Sequence, residues 1–326
     1  MNYLETKSTD PCHNLAFEQY VLENRSEGDW LILWQNADTV VLGLNQNAEE
    51  ELDRAFVEAH GTSVVRRMTG GGAVYHDLGN LNYSFISDLG DAAALSIARF
   101  TAPVCRALAS MGVNAETSGR NDITVDGRKI SGVAQRIFKN RILHHGTLLF
   151  DSDPALVAAA LRADPAKFSS KSAKSVRSRI GNIRDFLPRD MTLAEFWQRL
   201  LLELSRDGLV RRELSADELA QVSRLAEEKY RSWDWTRGRS PDYDFKNKRR
   251  FEGGTLEVRL SVEGGLISDA LFRGDFMAVT DSTPAANALK GVRFERGAVG
   301  AALAALDLAP MLGGIRLCEI LETIFD

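Results

Sequence analysis

Two segments of the chain concentrate residue types that handle anions. The first is Arg66-Arg67-Met68-Thr69-Gly70-Gly71-Gly72-Ala73-Val74-Tyr75-His76-Asp77. Glycines lack Cβ atoms, so three in a row reach positive φ and let backbone N–H groups approach a ligand closely, while adjacent guanidiniums grip phosphate or carboxylate with two hydrogen bonds. That chemistry is an anion cradle; the alternative is a flexible turn between two solvated arginines. The spacing has neither the Lys-Ser/Thr of a P-loop nor the G-x-G-x-x-G of a dinucleotide site.

The second segment runs from Gly119 to Gly132 and holds Asn121, Asp122, Lys129 and Ser131. Asp126-Gly127 between two alternating runs marks a two-residue hairpin turn. It pairs Val125 with Arg128, Thr124 with Lys129, Ile123 with Ile130 and Asp122 with Ser131. On that register Asp122, Thr124, Lys129 and Ser131 share one face, and Ile123, Val125 and Ile130 point to the core. A lysine near an acid, with Gly132 leaving room beside it, suits a ligand carrying a carboxylate and a phosphate; the alternative is an ordinary surface lysine. His144-His145-Gly146-Thr147 opens an apolar strand. Adjacent strand residues face opposite sides, which argues against one metal held by both histidines and for a single polar lining or packing role. Lys167, Lys171, Lys174, Arg177, Arg179 and Arg184 form a basic, serine-rich stretch. It is read either as a mobile loop that clamps phosphates or attracts an acidic partner, or as a solvated charge run.

The elements that position these groups follow from periodicity. Asn47 to His60 starts three residues before Glu50, carries Leu52, Phe56 and Val57 at helical spacing and stops at Gly61, which predicts one amphipathic helix. Further helices are predicted over Asn14 to Asn24, Ala93 to Met111 and Leu193 to Arg206, the last with Thr192 and Glu195 as a capping box. Strands are predicted at Leu31 to Leu33, Thr39 to Leu42, Ser63 to Arg66, Leu81 to Ile86, Ile123 to Val125 and Ile142 to Phe150. Strands and helices do not alternate one for one, so the expected class is α+β, with a mixed or antiparallel sheet flanked by helices and not a Rossmann fold. Trp233 to Arg250 is rich in charge and separates helical sequence from a new β pattern. The boundary is therefore placed there, between residues 1–240 and a small α+β domain at 246–326. In that tail Leu256, Val258, Leu260 and Val262 alternate with polar residues, and Gly264-Gly265 turns the chain into Leu266 to Phe272. Helical sequence follows at Ala285 to Leu289 and Ala298 to Leu306.

Composition narrows the class. A chain of 326 residues, 44% hydrophobic and 26% charged, fits two globular domains. Its apolar runs fall short of the roughly 18 residues of a membrane span, and Met1 to Thr9 has no secretion-signal pattern, so the expected compartment is the cytoplasm. Cys12, Cys105 and Cys318 are far apart, which excludes a zinc-ligand spacing and suits a reducing compartment. A net charge of −5 gives no general attraction to nucleic acid or anionic membranes.

RRMTGGGAVYHDLGN, GRNDITVDGRKISG, HHGTLLFD and KSVRSRIGN, in that order, resemble the lipoate–protein ligase A family over about Tyr3 to Pro188, and the tail resembles that family's small accessory domain. The resemblance implies the class II synthetase-like catalytic fold of biotin and lipoate ligases, with an adenylate beneath the glycine-rich segment. It implies ATP and Mg²⁺ as cofactors and lipoic acid as substrate. The implied acceptors are lysines of lipoyl domains, in 2-oxoacid dehydrogenase E2 subunits or the glycine-cleavage H protein. Carried over by motif position, Lys129 is the essential lysine, contacting the lipoyl carbonyl and the α-phosphate. Arg66 holds phosphate, Gly71, Gly72, Ala73, Val74 and Tyr75 line the nucleotide, and Asn80 and Asn121 read adenine or ribose. Asp122 contacts Mg²⁺ and His145 contacts the ligand. The family often has serine where Met68 stands, which leaves any hydroxyl contact there to Thr69. An octanoyltransferase of the same superfamily needs a cysteine in the motif segments, where none stands. A biotin ligase needs a GRGRxGR-type loop that is missing, and intact Lys129 and Asp122 argue against a silent lipoate-binding protein.

Overall fold

The computed structural model describes residues 1–90, 97–118, 121–161, 168–170, 180–205 and 208–326. Among these lie fifteen strands. They are β1 (Asn2–Glu5), β2 (Trp30–Trp34), β3 (Thr39–Leu42), β4 (Ser63–Arg66), β5 (Val74–His76), β6 (Asn80–Asp88), β7 (Glu116–Ser118), β8 (Asp122–Val125), β9 (Arg128–Phe138), β10 (Arg141–Leu149), β11 (Phe168–Ser170), β12 (Val210–Arg211), β13 (Tyr243–Phe251), β14 (Gly254–Glu263) and β15 (Leu266–Gly274). The residues fall into two compact units. One comprises Met1–Leu44, Thr62–Ala159 and Ser175–Ser232; the other comprises Asn45–Gly61, Ala160–Lys174 and Trp233–Asp326.

The first unit is built on an eight-stranded sheet in the order β12-β1-β2-β6-β10-β9-β8-β7, with a three-stranded sheet β4-β3-β5 beside it in the topology. β12, β1 and β2 run parallel, and β2, β6, β10, β9 and β8 are joined antiparallel. The sheet is therefore mixed, as expected. Period-2 alternation divides its centre. Leu81, Tyr83 and Phe85 of β6, with Ile142 and Leu148 of β10, join a core completed by Phe100, Val104 and Leu108 of the helix Ile97–Ser110 and by Phe196 and Leu200 of the helix Leu193–Leu204. The intervening positions Asn80, Asn82 and Ser84, paired with Leu149, Thr147 and His145, are also buried. One face of the same strands is thus an apolar core and the other a buried polar surface.

Capping chemistry explains where helices depart from expectation. Pro11–Asn24 begins three residues before Asn14, because Asp10 caps it by accepting from Cys12 N at 3.0 Å and Pro11 has no N–H to orphan. The single helix expected over 47–60 is two, Ala48–Glu51 and Arg54–His60. Asp53 is a second N-cap, accepting from Phe56 N at 2.9 Å, and its own N–H goes to Ala160 O at 3.0 Å and not back along a helix. Leu193–Leu204 keeps the expected Thr192/Glu195 capping box. The expected ends Ala93 and Arg206 lie outside the described residues.

The second unit carries the sheet β11-β13-β14-β15. β13 takes up residues 243–250 of the segment read as a charged boundary. Tyr243 and Phe245 are buried while Asp244, Lys246, Lys248 and Arg250 alternate outward or at the margin, so the charges belong to the solvent face of a strand and not to a linker. Leu256, Val258, Leu260 and Val262 of β14 are buried as the alternation predicts, against the helices Thr283–Ala288, Arg296–Ala304 and Leu317–Phe325. Glu49 is clamped in this unit between Arg54, at 2.5 Å, and Arg237, at 2.6 Å, and the Arg54 guanidinium lies 4.7 Å from the Phe325 ring centre. Among the described residues no helix is long and apolar enough to cross a membrane.

Two imidazoles in the first unit set an acid limit on stability. His144 stacks on Phe100 with ring centres 4.8 Å apart, and burial holds its pKa at about 3. Burial, with Arg67 nearby, also takes His76 to about 3. A folded-state pKa below the unfolded 6.5 means that the unfolded chain binds the proton first. Stability is therefore complete above pH 6.5 and is lost as pH falls toward 3. Each imidazole is expected to contribute a slope of up to about 1.4 kcal/mol per pH unit in urea-unfolding free energy, and His144→Asn should flatten that slope. An unchanged slope in the variant would show that His144 does not titrate on unfolding.

Candidate active site

The β8–β9 hairpin carries the chemistry-bearing lysine. Its turn is the one the sequence demands: Asp126 and Gly127 sit at φ 50° and 70°, both left-handed, as a type I′ turn requires. Val125 pairs with Arg128 and Thr124 with Lys129, but the register then shifts, so that Ile123 faces Ser131 and Asp122 faces Gly132. The expected pairs Ile123–Ile130 and Asp122–Ser131 do not form. Ile130 is the extra residue of a β-bulge, and beyond a bulge parity reverses. Ser131 consequently moves from the expected polar face to the buried side with Ile123, and Gly132 takes its place beneath the lysine.

Lys129 Nζ lies 2.8 Å from Asp122 Oδ1, with the two side chains 22% and 27% exposed. The pair is half-buried, and the Asp122 Oδ1 that faces the ammonium is itself excluded from solvent. A Cβ on Gly132 would stand 3.0 Å from both Lys129 Nζ and Cε, so the ammonium occupies the space that the missing side chain leaves. Lys129 O also accepts from Gly181 N at 2.9 Å, which fixes the backbone behind it. Asn121 is pinned to β9, donating Nδ2 to Val133 O at 3.1 Å and accepting from Val133 N at 2.8 Å.

The glycine loop joins β4 to β5, and the two arginines before it behave differently from the expectation of an exposed grip. Arg66 is fully buried, and its Nη1 donates to the carbonyls of Gly43, at 2.8 Å, and Leu44, at 3.3 Å. Arg67 donates Nη1 to Val41 O at 3.1 Å, Nη2 to Gly70 O at 2.7 Å and to Gly72 O at 2.8 Å, and Nε to Thr69 Oγ1 at 2.9 Å. Burial lowers its pKa to about 10, which leaves it cationic at neutral pH. Arg67 thus holds carbonyls of the glycine loop and Arg66 those of Gly43 and Leu44, because carbonyls are the nearest acceptors once the side chains are excluded from water. Gly71 has φ +92°, and a Cβ on Gly43 would stand 2.0 Å from Gly71 O, so the loop's path requires glycine at both positions.

Beyond the loop, Gly72 and Val74 are half-buried, whereas Ala73 and Tyr75 are buried. Burial and the neighbouring Asp38 and Asp77 push the Tyr75 phenol up to about 12. Asn80 is buried on the polar sheet face and donates Nδ2 to Asn82 Oδ1 at 3.0 Å; Asn80 Oδ1 and Asn82 Nδ2 have no partner among the described residues. His144 and His145 face opposite sides, the first into the core and the second toward the loop. Both ring nitrogens of His145 are engaged, Nδ1 with Glu18 at 2.9 Å and Nε2 with Thr69 Oγ1 at 2.8 Å. In the basic stretch Lys167, Lys171, Lys174, Arg177 and Arg179 lie outside the described residues. Arg184 bridges Asp151 at 2.5 Å and Asp190 at 2.9 Å, an exposed structural pairing.

The sequence alone does not single out Gly43, Glu18 or Ser84. Glu18 leaves a trace, since a carboxylate inside Leu15-Ala16-Phe17-Glu18 on a helix is rarely buried without a partner.

A lysine poised over a glycine and a glycine loop braced by arginine are equipment for binding anions, and they define an anion-handling protein as the class. Comparison with known proteins specifies it. Residues 10–205 match the lipoyl protein ligase A/B catalytic domain, and residues 240–324 match the C-terminal domain of bacterial lipoate protein ligases. The chain is 41% identical over 316 residues to lipoate–protein ligase 1 of Staphylococcus aureus, covering 96% of each. It is also 41% identical over 322 residues to the lipoate–protein ligase LplJ of Bacillus subtilis, covering 97% of each. Among solved structures, a bipartite lipoate protein ligase from Thermoplasma acidophilum superposes with a TM-score of 0.62 at 26% identity, covering 73% of this chain and 95% of that one. A lipoate–protein ligase A bound with ATP shares the fold at a TM-score of 0.60 and 24% identity, covering 72% and 96%. The chain belongs to the lipoate–protein ligase family, and lipoate–protein ligation is its activity.

The lysine–glycine contact gives a direct test. Gly132→Ala should displace the Lys129 ammonium, and a displacement of order 1 Å is expected to lower the ligation rate by about 10²-fold at nearly unchanged urea midpoint. Full activity in a folded Gly132→Ala protein would show that the ammonium's position is not set by this contact.

Proposed function

We propose that the site activates lipoate with ATP, forming lipoyl-AMP, and passes the acyl group to a lysine of an acceptor protein. The observation that carries this reading is the Lys129 ammonium, held over Gly132 by an ion pair and able to contact two anionic oxygens at once. In the first step a lipoate carboxylate oxygen attacks the α-phosphorus, the bond to the bridging oxygen breaks and pyrophosphate leaves. In the second, the acceptor's neutral ε-amine attacks the acyl carbon, the bond to the phosphate oxygen breaks, AMP departs and the nitrogen loses one proton to solvent. Negative charge develops on the α-phosphate in one step and on the acyl oxygen in the other, and a preorganised cation stabilises both. Lys129 acts electrostatically and forms no covalent bond.

The glycine loop Gly71 to Tyr75 lines the nucleotide with backbone groups, and Asn80 and Asn121 lie toward its adenosine part. Arg66, whose Nη1 also donates to the carbonyls of Gly43 and Leu44, holds phosphate. Once Lys129 turns to the ligand, the Asp122 carboxylate is released. One carboxylate together with phosphate oxygens is a donor set that Mg²⁺ commonly takes, so Asp122 fits as its protein contact. Bound there, Mg²⁺ neutralises triphosphate charge. Past Lys129, Gly132 and Ala134 follow on the same face of β9, where short side chains leave the sheet low for an acyl chain. Four buried methylenes contribute about 3 kcal/mol before ordering costs, which favours medium acyl chains.

For acceptors we assign lipoyl domains of 2-oxoacid dehydrogenase E2 subunits and the glycine-cleavage H protein. The Thermoplasma relative was solved as part of a lipoylation system with its E2 lipoyl domain, which supports the first. Residues 1–240 form the catalytic part and 246–326 the accessory part, acting in the cytoplasm.

Lipoate-dependent exchange of labelled pyrophosphate into ATP tests the first step. Wild type should exchange, and Lys129→Ala should lose at least about 10²-fold, the usual effect of removing one transition-state donor. A folded wild type that transfers lipoate but shows no exchange would exclude a free adenylate. Exchange that survives Lys129→Ala would remove the lysine from the chemistry.

A further inference from the structure

Ile180-Gly181-Asn182, which closes the KSVRSRIGN segment, is fastened to the strand that carries Lys129. Ile180 and Lys129 form a parallel β-bridge, and Gly181 N donates to Lys129 O at 2.9 Å. β10 pairs with β9 only from Val133 onward, so at Lys129 the strand has β8 along one edge and this segment along the other. The approach is close. A Cβ on Gly181 would stand 3.1 Å from Arg128 Cβ and 3.3 Å from Phe186 Cε2. Gly181 does not take a positive φ, so what the position demands is space and not backbone freedom. Arg128 completes the contact: its guanidinium carbon lies 4.3 Å from the centre of the Phe186 ring, and its Nη1 lies 3.5 Å from Asp185 Oδ2.

The segment itself stands on the core of its unit. Ile183 is fully buried, and Arg184 N donates to Phe150 O at 3.0 Å. Asn182 brackets the backbone of Ser152, accepting from its N–H through Oδ1 at 3.0 Å and donating Nδ2 to its carbonyl at 2.8 Å. A grip anchored in this way can hold something else in place. Consecutive strand residues face opposite sides, so Arg128 points away from the Lys129 ammonium and its contacts act on the backbone between them. That backbone matters because a lysine stem of four rotatable carbons cannot position its own head group. Where the ammonium reaches is set by the place of its Cα and by the walls around it. Gly132 supplies one wall, and the carbonyl pinned to Gly181 fixes the Cα. The Arg128–Asp185 ion pair, with side chains 32% and 52% exposed, adds little strength alone, so the ring contact of Arg128 with Phe186 carries most of the grip.

We propose that Arg128, Gly181 and Phe186 are positioning residues for the ligation reaction: the segment from Ile180 to Phe186 grips β9 on the edge away from β8 and fixes the backbone from which the Lys129 ammonium reaches its anionic oxygens. The consequence for catalysis rests on the reading that Lys129 stabilises the charge developing in both steps. One lysine serves both, so loosening the grip should slow adenylate formation and transfer from preformed lipoyl-AMP by the same factor. None of the three residues touches a substrate, so the KM values for ATP and lipoate should hardly move.

Two measurements test the grip. In amide hydrogen exchange followed by NMR, the Gly181 N–H of the wild-type protein should be protected, and Phe186→Leu, which keeps an apolar side chain but removes the ring face, should speed its exchange at least about tenfold. A Gly181 amide that exchanges freely in wild type overturns the grip, whatever Lys129 does. In pyrophosphate exchange, a shift of Lys129 well under the 1 Å that costs about 10²-fold should lower kcat of Phe186→Leu about tenfold, with KM for ATP and for lipoate within about twofold of wild type. Transfer from preformed lipoyl-AMP should fall by the same factor. Phe186→Tyr, which keeps the ring face, should return both rates to wild type. Unchanged kcat in folded Phe186→Leu, or a loss that Phe186→Tyr does not restore, overturns the positioning role; a rise in KM for ATP at unchanged kcat overturns it too and makes the segment a nucleotide contact. Arg128→Gln removes the same contact from the other side, so it should match Phe186→Leu, and the double variant should be no slower than either single one. Additive losses would show that the two residues do not form one device. Should Phe186→Leu fail to fold, Arg128→Gln carries both measurements with the same expected values. If Lys129→Ala retains exchange activity, the electrostatic reading of the lysine fails and the catalytic consequence with it, while protection of the Gly181 amide still reports on the grip itself.

Discussion

The site depends on a single extra residue in a β-strand. Without the bulge at Ile130, Asp122 would face Ser131, whose side chain would fill the space that the Lys129 ammonium occupies. With it, a glycine stands there, and lysine and aspartate meet across an open patch of sheet. Ile130 is then fully buried, which anchors the hairpin from below. The bulge is stabilised by this apolar burial, so the geometry of a charged group is set by the packing of an uncharged one. Bulges commonly re-aim a side chain in this manner next to functional sites.

A second constraint comes from burying the central strands on both faces. β6 and β10 cannot leave their polar side chains to water, so each polar group on the upper face must find a partner within the protein. Ser84, Glu18, His145 and Thr69 satisfy one another. Asn80 Oδ1 and Asn82 Nδ2 stand without partners among the described residues, on the same face. An unsatisfied buried amide costs about 1–3 kcal/mol, which a ligand's polar groups would recover on binding. The polar face is thus fully bonded around Ser84 and incompletely bonded nearer β6's start.

Local chemistry made much of this legible in the sequence. Thr39–Leu42 and Ser63–Arg66 form strands with the expected bounds, Asp126-Gly127 makes the expected turn, and Thr192 with Glu195 caps the expected helix. These features are decided by neighbours within a few residues. The failures are decided by distant ones. The sequence of the hairpin does not reveal a bulge, because the apolar residues on either side satisfy both registers. Nor does the sequence reveal that Arg66 and Arg67 are buried against the carbonyls of Val41, Gly43 and Leu44, more than twenty residues earlier in the chain. The helix over 47–60 breaks because Ala160 takes the Asp53 N–H. β13 escaped notice because lysines and arginines on its solvent face outweigh the two aromatics that mark its buried one.

Strength is distributed in this site according to what must stay and what must move. The loop is held by neutral and charge-assisted hydrogen bonds inside the protein, where the effective dielectric is low and a lost partner is expensive. Lys129, by contrast, is held by a single half-buried carboxylate. On the proposed mechanism Lys129 exchanges this carboxylate for a phosphate, a movement that would leave Asp122 free for a counter-ion, so one ion pair would couple the arrival of the substrate's charge to that of its counter-ion.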